Sequence, residues 1–135
     1  MKTENVIVAL SFDFAVETIG LYKSLIEQRE FVMSKQLSRC GTSIGANVEE
    51  AIAAQCRRDF ISKTSIASKE ARETRYWLKL LDKTQFVSFD YSPYLLKIEH
   101  IINVITKIVK TTHESTIQGQ KIENGNISNS QNDFS

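Results

Sequence analysis

The stretch QLSRCGTSIGANVEE, residues 36–50, carries two patterns at once, and their shared period decides the fold. Leu37, Cys40, Ile44 and Val48 recur every three or four residues, and Gln36, Arg39, Ser43, Asn47 and Glu50 recur in the same way beside them. Both are rows on one α-helix, an apolar face with a polar stripe adjoining it. Gly41 and Gly45 lie in this helix although glycine weakens a helix interior by about 1 kcal/mol relative to alanine. Together with Thr42 and Ala46 they make a small-residue surface on which a neighbouring helix can approach closely. Extended outward, the apolar row runs from Phe31 and Val32 to Ala51 and Ile52, which predicts a helix over about 31–52.

Upstream, Phe12, Ala15, Val16, Ile19, Tyr22, Leu25 and Ile26 predict a helix over about 9–28 with these residues as its inward face. Downstream, Asp59 suits the first turn of a third helix, over about 59–84, whose apolar face reads Phe60, Ile66, Ala67, Ala71, Thr74, Trp77, Leu78 and Leu81. A fourth helix starts near Pro93, capped by Asp90 or Ser92, and carries Tyr94, Leu95, Ile98, Ile101, Ile102, Ile105, Ile108 and Val109. With 5 Gly and 1 Pro in 135 residues, the chain lacks the corners that a sheet protein of this size needs. The expected fold is all-α, an antiparallel up-down-up-down four-helix bundle over residues 1–113. From Glu114 the polar run ESTIQGQKIENGNISNSQNDFS shows no sustained period, so residues 114–135 are expected to form a disordered polar tail.

In such a bundle the second and third helices form a hairpin. Arg39 then falls opposite Glu73 and Glu70, Ser43 opposite Lys69 and Glu70, and Gln36 opposite Tyr76 and Trp77. Gln36, Arg39, Ser43, Asn47, Glu50, Glu70 and Glu73 are therefore expected to make a structural polar seam, since each buried polar group left unpaired costs about 1–3 kcal/mol.

The chain has 17 basic and 16 acidic residues, a net charge of +1, and so no global basic excess. Basic residues do gather on the third helix. Arg57, Arg58, Lys69, Arg72, Arg75 and Lys79, with Lys63 and Lys83, outnumber Asp59, Glu70, Glu73 and Asp82 there. Repeated around an oligomer, that face would bind the phosphates of RNA or DNA in a salt-sensitive way without reading sequence. The competing readings are a solvated helix face, which is what most charge runs on helices are, and a scaffold for a protein partner. Tyr76 lies off the main apolar face and is the aromatic best placed for an interface.

Catalytic apparatus is not apparent. His100 and His113 stand alone, no Glu-x-x-His pair builds a metal site, and the glycines lie inside a helix rather than in a phosphate loop. Neither an enzyme nor a cofactor or metal is expected. Cys40 and Cys56 are not arranged as CxxC, which fits reduced thiols in a cytosol. The N-terminus lacks the features of a signal peptide and no uninterrupted apolar run approaches the roughly 20 residues of a membrane span, so a cytoplasmic protein with no membrane partner is expected.

The motif at Gln36, Leu37, Arg39, Ser43, Ile44, Asn47 and Glu50, continued by Ala67, Glu70, Glu73 and Trp77 in IASKEARETRYWLKLL, resembles the bacterial proteins named for the intervening sequences of 23S ribosomal RNA genes. The resemblance spans about residues 5–112. It implies a non-enzymatic four-helix bundle that assembles as a homo-oligomer, a ring-like pentamer.

Overall fold

The computed structural model describes residues 2–132. Four helices follow one another, α1 (Lys2–Glu27), α2 (Met33–Ile52), α3 (Arg57–Thr84) and α4 (Ser92–Asn132). Among the described residues, α1 packs on α2 and α4, and α3 on α2 and α4, with no diagonal contact; the α1–α4 seam is the thinnest of the four. Arg39 pairs with Glu73 and Glu50 with Lys63, so α3 numbers fall as α2 numbers rise. Gly41 lies against Thr18 and Gly45 against Ser11, which gives α1 and α2 the same opposed register. These are the relations of a four-helix bundle whose neighbours are joined by short connections.

The core is built from every helix. Phe14, Leu21 and Leu25 of α1 meet Leu37 and Ile44 of α2, Ala71, Leu78 and Leu81 of α3, and Ile98, Ile101 and Ile105 of α4. Hydroxyls buried among them are satisfied locally. Thr18 donates to the Phe14 carbonyl at 2.7 Å and Thr74 to the Glu70 carbonyl at 2.7 Å, so neither is left unpaired.

The turn between α1 and α2 is held by two devices. Arg29 takes a left-handed conformation (φ 63°), while Arg29 N–H reaches the Ile26 carbonyl at 3.0 Å and Glu30 N–H the Leu25 carbonyl at 3.0 Å. That pair of bonds closes the end of α1 in a Schellman motif. Glu30 is 4% exposed. Its carboxylate accepts hydrogen bonds from the N–H groups of Val32 (3.1 Å), Met33 (2.8 Å) and Ser34 (2.6 Å), placing negative charge on the positive end of α2.

Several expected boundaries move. Helix α1 begins at Lys2 rather than near residue 9, because the apolar run Val6–Leu10 continues the helical period toward the N-terminus. Helix α3 begins at Arg57 rather than Asp59, since extended Cys56 occupies the capping position. Helix α4 continues to Asn132, through residues 114–132 that were expected to be a disordered tail. No proline follows Pro93 in the chain, and an established helix adds one hydrogen bond for each residue fixed. Residues 133–135 lie outside the described residues.

The largest correction concerns the faces of α1. Phe12, Val16 and Ile19, expected inward, are 64%, 57% and 44% exposed. Ile7, Ser11, Phe14, Thr18, Leu21 and Leu25 are buried in their place. The helix is apolar on both sides, and the side bearing small Ser11 and Thr18 is the one that fits against the glycines of α2. With Asp13 and Glu17 its only interior charges before Lys23, the stretch Glu4–Glu27 is long and apolar enough to cross a membrane by length and composition, at a mean hydropathy of 1.4. Asp13 and Glu17 interrupt the stretch, so it is not an uninterrupted apolar run, and the same length and composition belong to a bundle helix with two apolar faces.

Candidate nucleic-acid interface

The polar stripe of α2 meets α3 at two points. Arg39 pairs with Glu73 and lies 3.5 Å from Glu70, and Lys63 lies 2.6 Å from Glu50. Burial works slightly against the charge of Arg39, and the Glu73 and Glu70 carboxylates outweigh it, raising the guanidinium's pKa. Gln36 accepts from Arg39 on the same helix, which fixes the arginine's direction. Among the described residues Ser43 and Asn47 form no hydrogen bond or ion pair to α3; the Asn47 amide donates within α2, to the Ser43 carbonyl at 2.9 Å and hydroxyl at 3.1 Å. The seam is largely solvent-exposed, where an ion pair contributes about 0–1 kcal/mol.

Pairing divides the basic residues of α3. Arg75 lies 2.9 Å from Glu99 of α4 and Lys63 is held by Glu50, so both cations are neutralised within the bundle. Lys69, Arg72 and Lys79 are exposed and, among the described residues, form no ion pair. Helical geometry puts them in one outward stripe with Tyr76, which is 57% exposed, and with Lys83 beyond it. Arg58 shares that stripe a few turns away. Arg57, at the first position of α3, lines a separate hollow with Glu4 and Thr111. Of the six basic residues singled out in the sequence, the structure thus groups Lys69, Arg72 and Lys79, sets Arg57 and Arg58 apart at the helix start, and occupies Arg75 with an internal partner.

Sequence reasoning missed the contribution of α4. A groove of about 530 Å³ runs between α3 and α4, lined by Ser65, Ser68 and Arg72 on one side and Thr106, Lys110 and His113 on the other. Two cations, an imidazole and three hydroxyl groups there are all able to donate to phosphate oxygens. The signal was present as Thr106, Lys110 and His113 at four- and three-residue spacing, off the isoleucine row of α4.

A different face adjoins the seam between α1 and α4. Val6, Phe12, Val16 and Ile19 of α1 are exposed, and Leu96 of α4 is 75% exposed. Between α1 and α4, Leu10, Phe14, Leu96 and Ile101 line a groove of about 450 Å³ closed on one side by the Glu17–Lys97 ion pair. No group of three or more metal-ligating side chains occurs among the described residues.

The comparisons agree with this architecture. Residues 3–107 match the family described as 23S rRNA-intervening sequence protein. A solved structure of a protein with unknown function from the S23 ribosomal protein family of Bacteroides thetaiotaomicron VPI-5482 is similar at 48% identity and a TM-score of 0.77, over 80% of this chain and 98% of that one. No curated protein sequence matches. The chain belongs to the 23S rRNA-intervening sequence protein family.

Proposed function

We propose that this protein is a non-enzymatic, cytoplasmic homo-oligomeric bundle that binds RNA or DNA through the basic face formed by α3 and α4. The observation that carries the reading is selective pairing. The bundle neutralises Arg39, Lys63, Arg75 and Lys97 with its own carboxylates and leaves Lys69, Arg72 and Lys79 in solvent on one side. Lys110 and His113 extend that side across the groove. A net charge of +1 is compatible with this, because the local field, rather than the total, meets a phosphate backbone.

Self-assembly rests on the α1 face. Phe12, Val16 and Ile19 with Leu96 make an apolar surface of the kind that marks protein interfaces. A second copy is its occupant, and the family resemblance gives the pentamer as the stoichiometry to test. Phe12→Glu with Val16→Lys is expected to shift the sedimentation coefficient to that of a monomer; an unchanged coefficient would remove α1 from the interface.

The test of nucleic-acid binding is a titration with structured RNA and duplex DNA at low and near-physiological salt, beside a variant carrying Lys69→Glu, Arg72→Glu and Lys79→Glu. Binding that weakens steeply with salt and is lost in the variant supports the reading. Absence of binding at both salt concentrations refutes it. The remaining reading is then a scaffold for a protein partner, which one observation favours. Phe31 and Val32 on the α1–α2 connection and Phe86 on the α3–α4 connection are 61%, 73% and 70% exposed.

A further inference from the structure

We infer that Tyr76 is a stacking platform for an unpaired base, so that the basic face of α3 takes single-stranded nucleic acid in preference to duplex. The inference rests on the nucleic-acid reading above and narrows its ligand. Tyr76 is the one exposed aromatic within the row of unpaired cations, with Arg72 one turn before it, Lys79 one turn after it, and Lys69 and Lys83 two turns to either side. From Lys69 to Lys83 the row is about 21 Å long, enough to follow several nucleotides of one strand.

Nothing in the fold requires a large aromatic there. Tyr76 is 57% exposed, and its hydroxyl makes no hydrogen bond among the described residues. The ring is nevertheless oriented. It stands at 74° to the ring of Trp77, with centroids 5.3 Å apart, and Trp77 packs against the core. A ring held by a half-buried neighbour that packs on the core loses little rotamer freedom when a base settles on it, so more of the stacking energy appears as affinity. Bases in a duplex present no free face to such a ring, whereas every unpaired base does, and flanking lysine and arginine side chains hold the backbone without reading its sequence. An exposed aromatic between cations therefore discriminates between strands and duplexes, which cations alone do not.

Trp77 also supplies the readout, because it is the chain's single tryptophan. The experiment titrates full-length protein with a single-stranded RNA oligonucleotide, its DNA counterpart and the matching duplexes. Anisotropy of a labelled strand and the fluorescence of Trp77 are followed at several salt concentrations. Tyr76→Leu, Tyr76→Phe and the Lys69/Arg72/Lys79 charge-reversed variant are run in parallel, with circular dichroism to confirm that each is folded. Wild type is expected to prefer the single strands and to show a changed Trp77 emission on binding. Tyr76→Leu should lose roughly tenfold in single-strand affinity with an unchanged salt slope, Tyr76→Phe should retain it, and the charge-reversed variant should lose both affinity and slope. Equal affinity for single strands and duplexes, with no effect of Tyr76→Leu, overturns the stacking role while leaving phosphate binding by the basic face in place. Absence of binding to any of the four nucleic acids overturns both.

Discussion

Gly41→Ala places a methyl group where the Cγ2 of Thr18 already stands. A Cβ at position 41 would lie 2.7 Å from that carbon and 3.2 Å from the Thr18 hydroxyl. In an open helix the same substitution stabilises by about 1 kcal/mol, because alanine restricts the unfolded chain and favours the helix. Here the clash has no easy outlet. Thr18 is 1% exposed, and rotating it would break its 2.7 Å bond to the Phe14 carbonyl and leave a buried hydroxyl unpaired, at about 1–3 kcal/mol. Moving α1 away from α2 instead loosens the contact at Gly45, where a Cβ would already be 3.3 Å from the Ser11 carbonyl oxygen. Overpacking of this kind costs about 1–3 kcal/mol, so after the helix gain the variant is expected to be about 1–2 kcal/mol less stable than wild type. Thr18→Ser removes the clashing Cγ2, keeps the hydroxyl, and by itself costs about 1 kcal/mol for the lost methyl. Combined, the alanine methyl fills the space that the threonine methyl vacated. The double variant should return to within about 0.5 kcal/mol of wild type, a favourable coupling of roughly 2 kcal/mol. Urea unfolding followed by Trp77 fluorescence measures all four proteins, at one protomer concentration because association adds to apparent stability. A Gly41→Ala protein at or above wild-type stability, or a double variant no better than the sum of its parts, would refute close packing of α1 on these glycines.

Other expectations follow from single groups. Glu30→Ala should destabilise by about 2–3 kcal/mol in the same urea assay, since three backbone N–H groups of α2 lose a charged acceptor, while Glu30→Gln, which keeps one carbonyl oxygen, should lose less. Arg29→Gly should raise stability by about 0.5–1 kcal/mol, read as a higher urea midpoint, because the left-handed backbone at φ 63° suits glycine. A thiol reagent should titrate Cys56 and spare Cys40 in the native protein, and both in denaturant. Burial pushes the Cys40 thiol from 9.0 up to about 11, so the unfolded chain releases that proton first; stability should decline from about pH 9 to about pH 11, and Cys40→Ala should flatten that decline.

The bundle was readable from residues 36–50 because an apolar row and a polar row with the same helical period admit no other secondary structure. Reading the faces of α1 was harder. Periodicity ranks residues by apolarity, and on α1 it pointed to Phe12, Val16 and Ile19, while packing selected the side with Ser11 and Thr18 because α2 presents glycines there. The preference is a pairwise property of two helices, and neither helix displays it alone. Glu30 escaped notice for a related reason. A single carboxylate between two helices has no period, and its value appears only when the chain folds back and three N–H groups converge on it. On α4 the loss of apolar period marks the end of packing, and it does not by itself end a helix.

The site shows the same division between what one helix states and what two decide. Sequence could count the cations of α3 but could not tell which would be free, since the partners of Arg75 and Lys63 sit on α4 and α2. Once those pairs are removed, the remaining cations fall on the side of α3 that faces neither α2 nor the core, and the α4 groove adds Lys110 and His113 to them. The ring order separates α1, which carries most of the apolar surface, from α3, which carries most of the cations, while α4 adjoins both. If copies join through α1 as proposed, the exposed cations Lys69, Arg72, Lys79 and Lys110 of each protomer would recur around the assembly, and a strand spanning neighbouring protomers would contact several sets of them. Severing the α1 contact should accordingly weaken binding to long strands far more than to oligonucleotides that fit one protomer, by the loss of effective concentration rather than of any contact. Equal weakening for both lengths would mean instead that α1 helps to form the binding face itself.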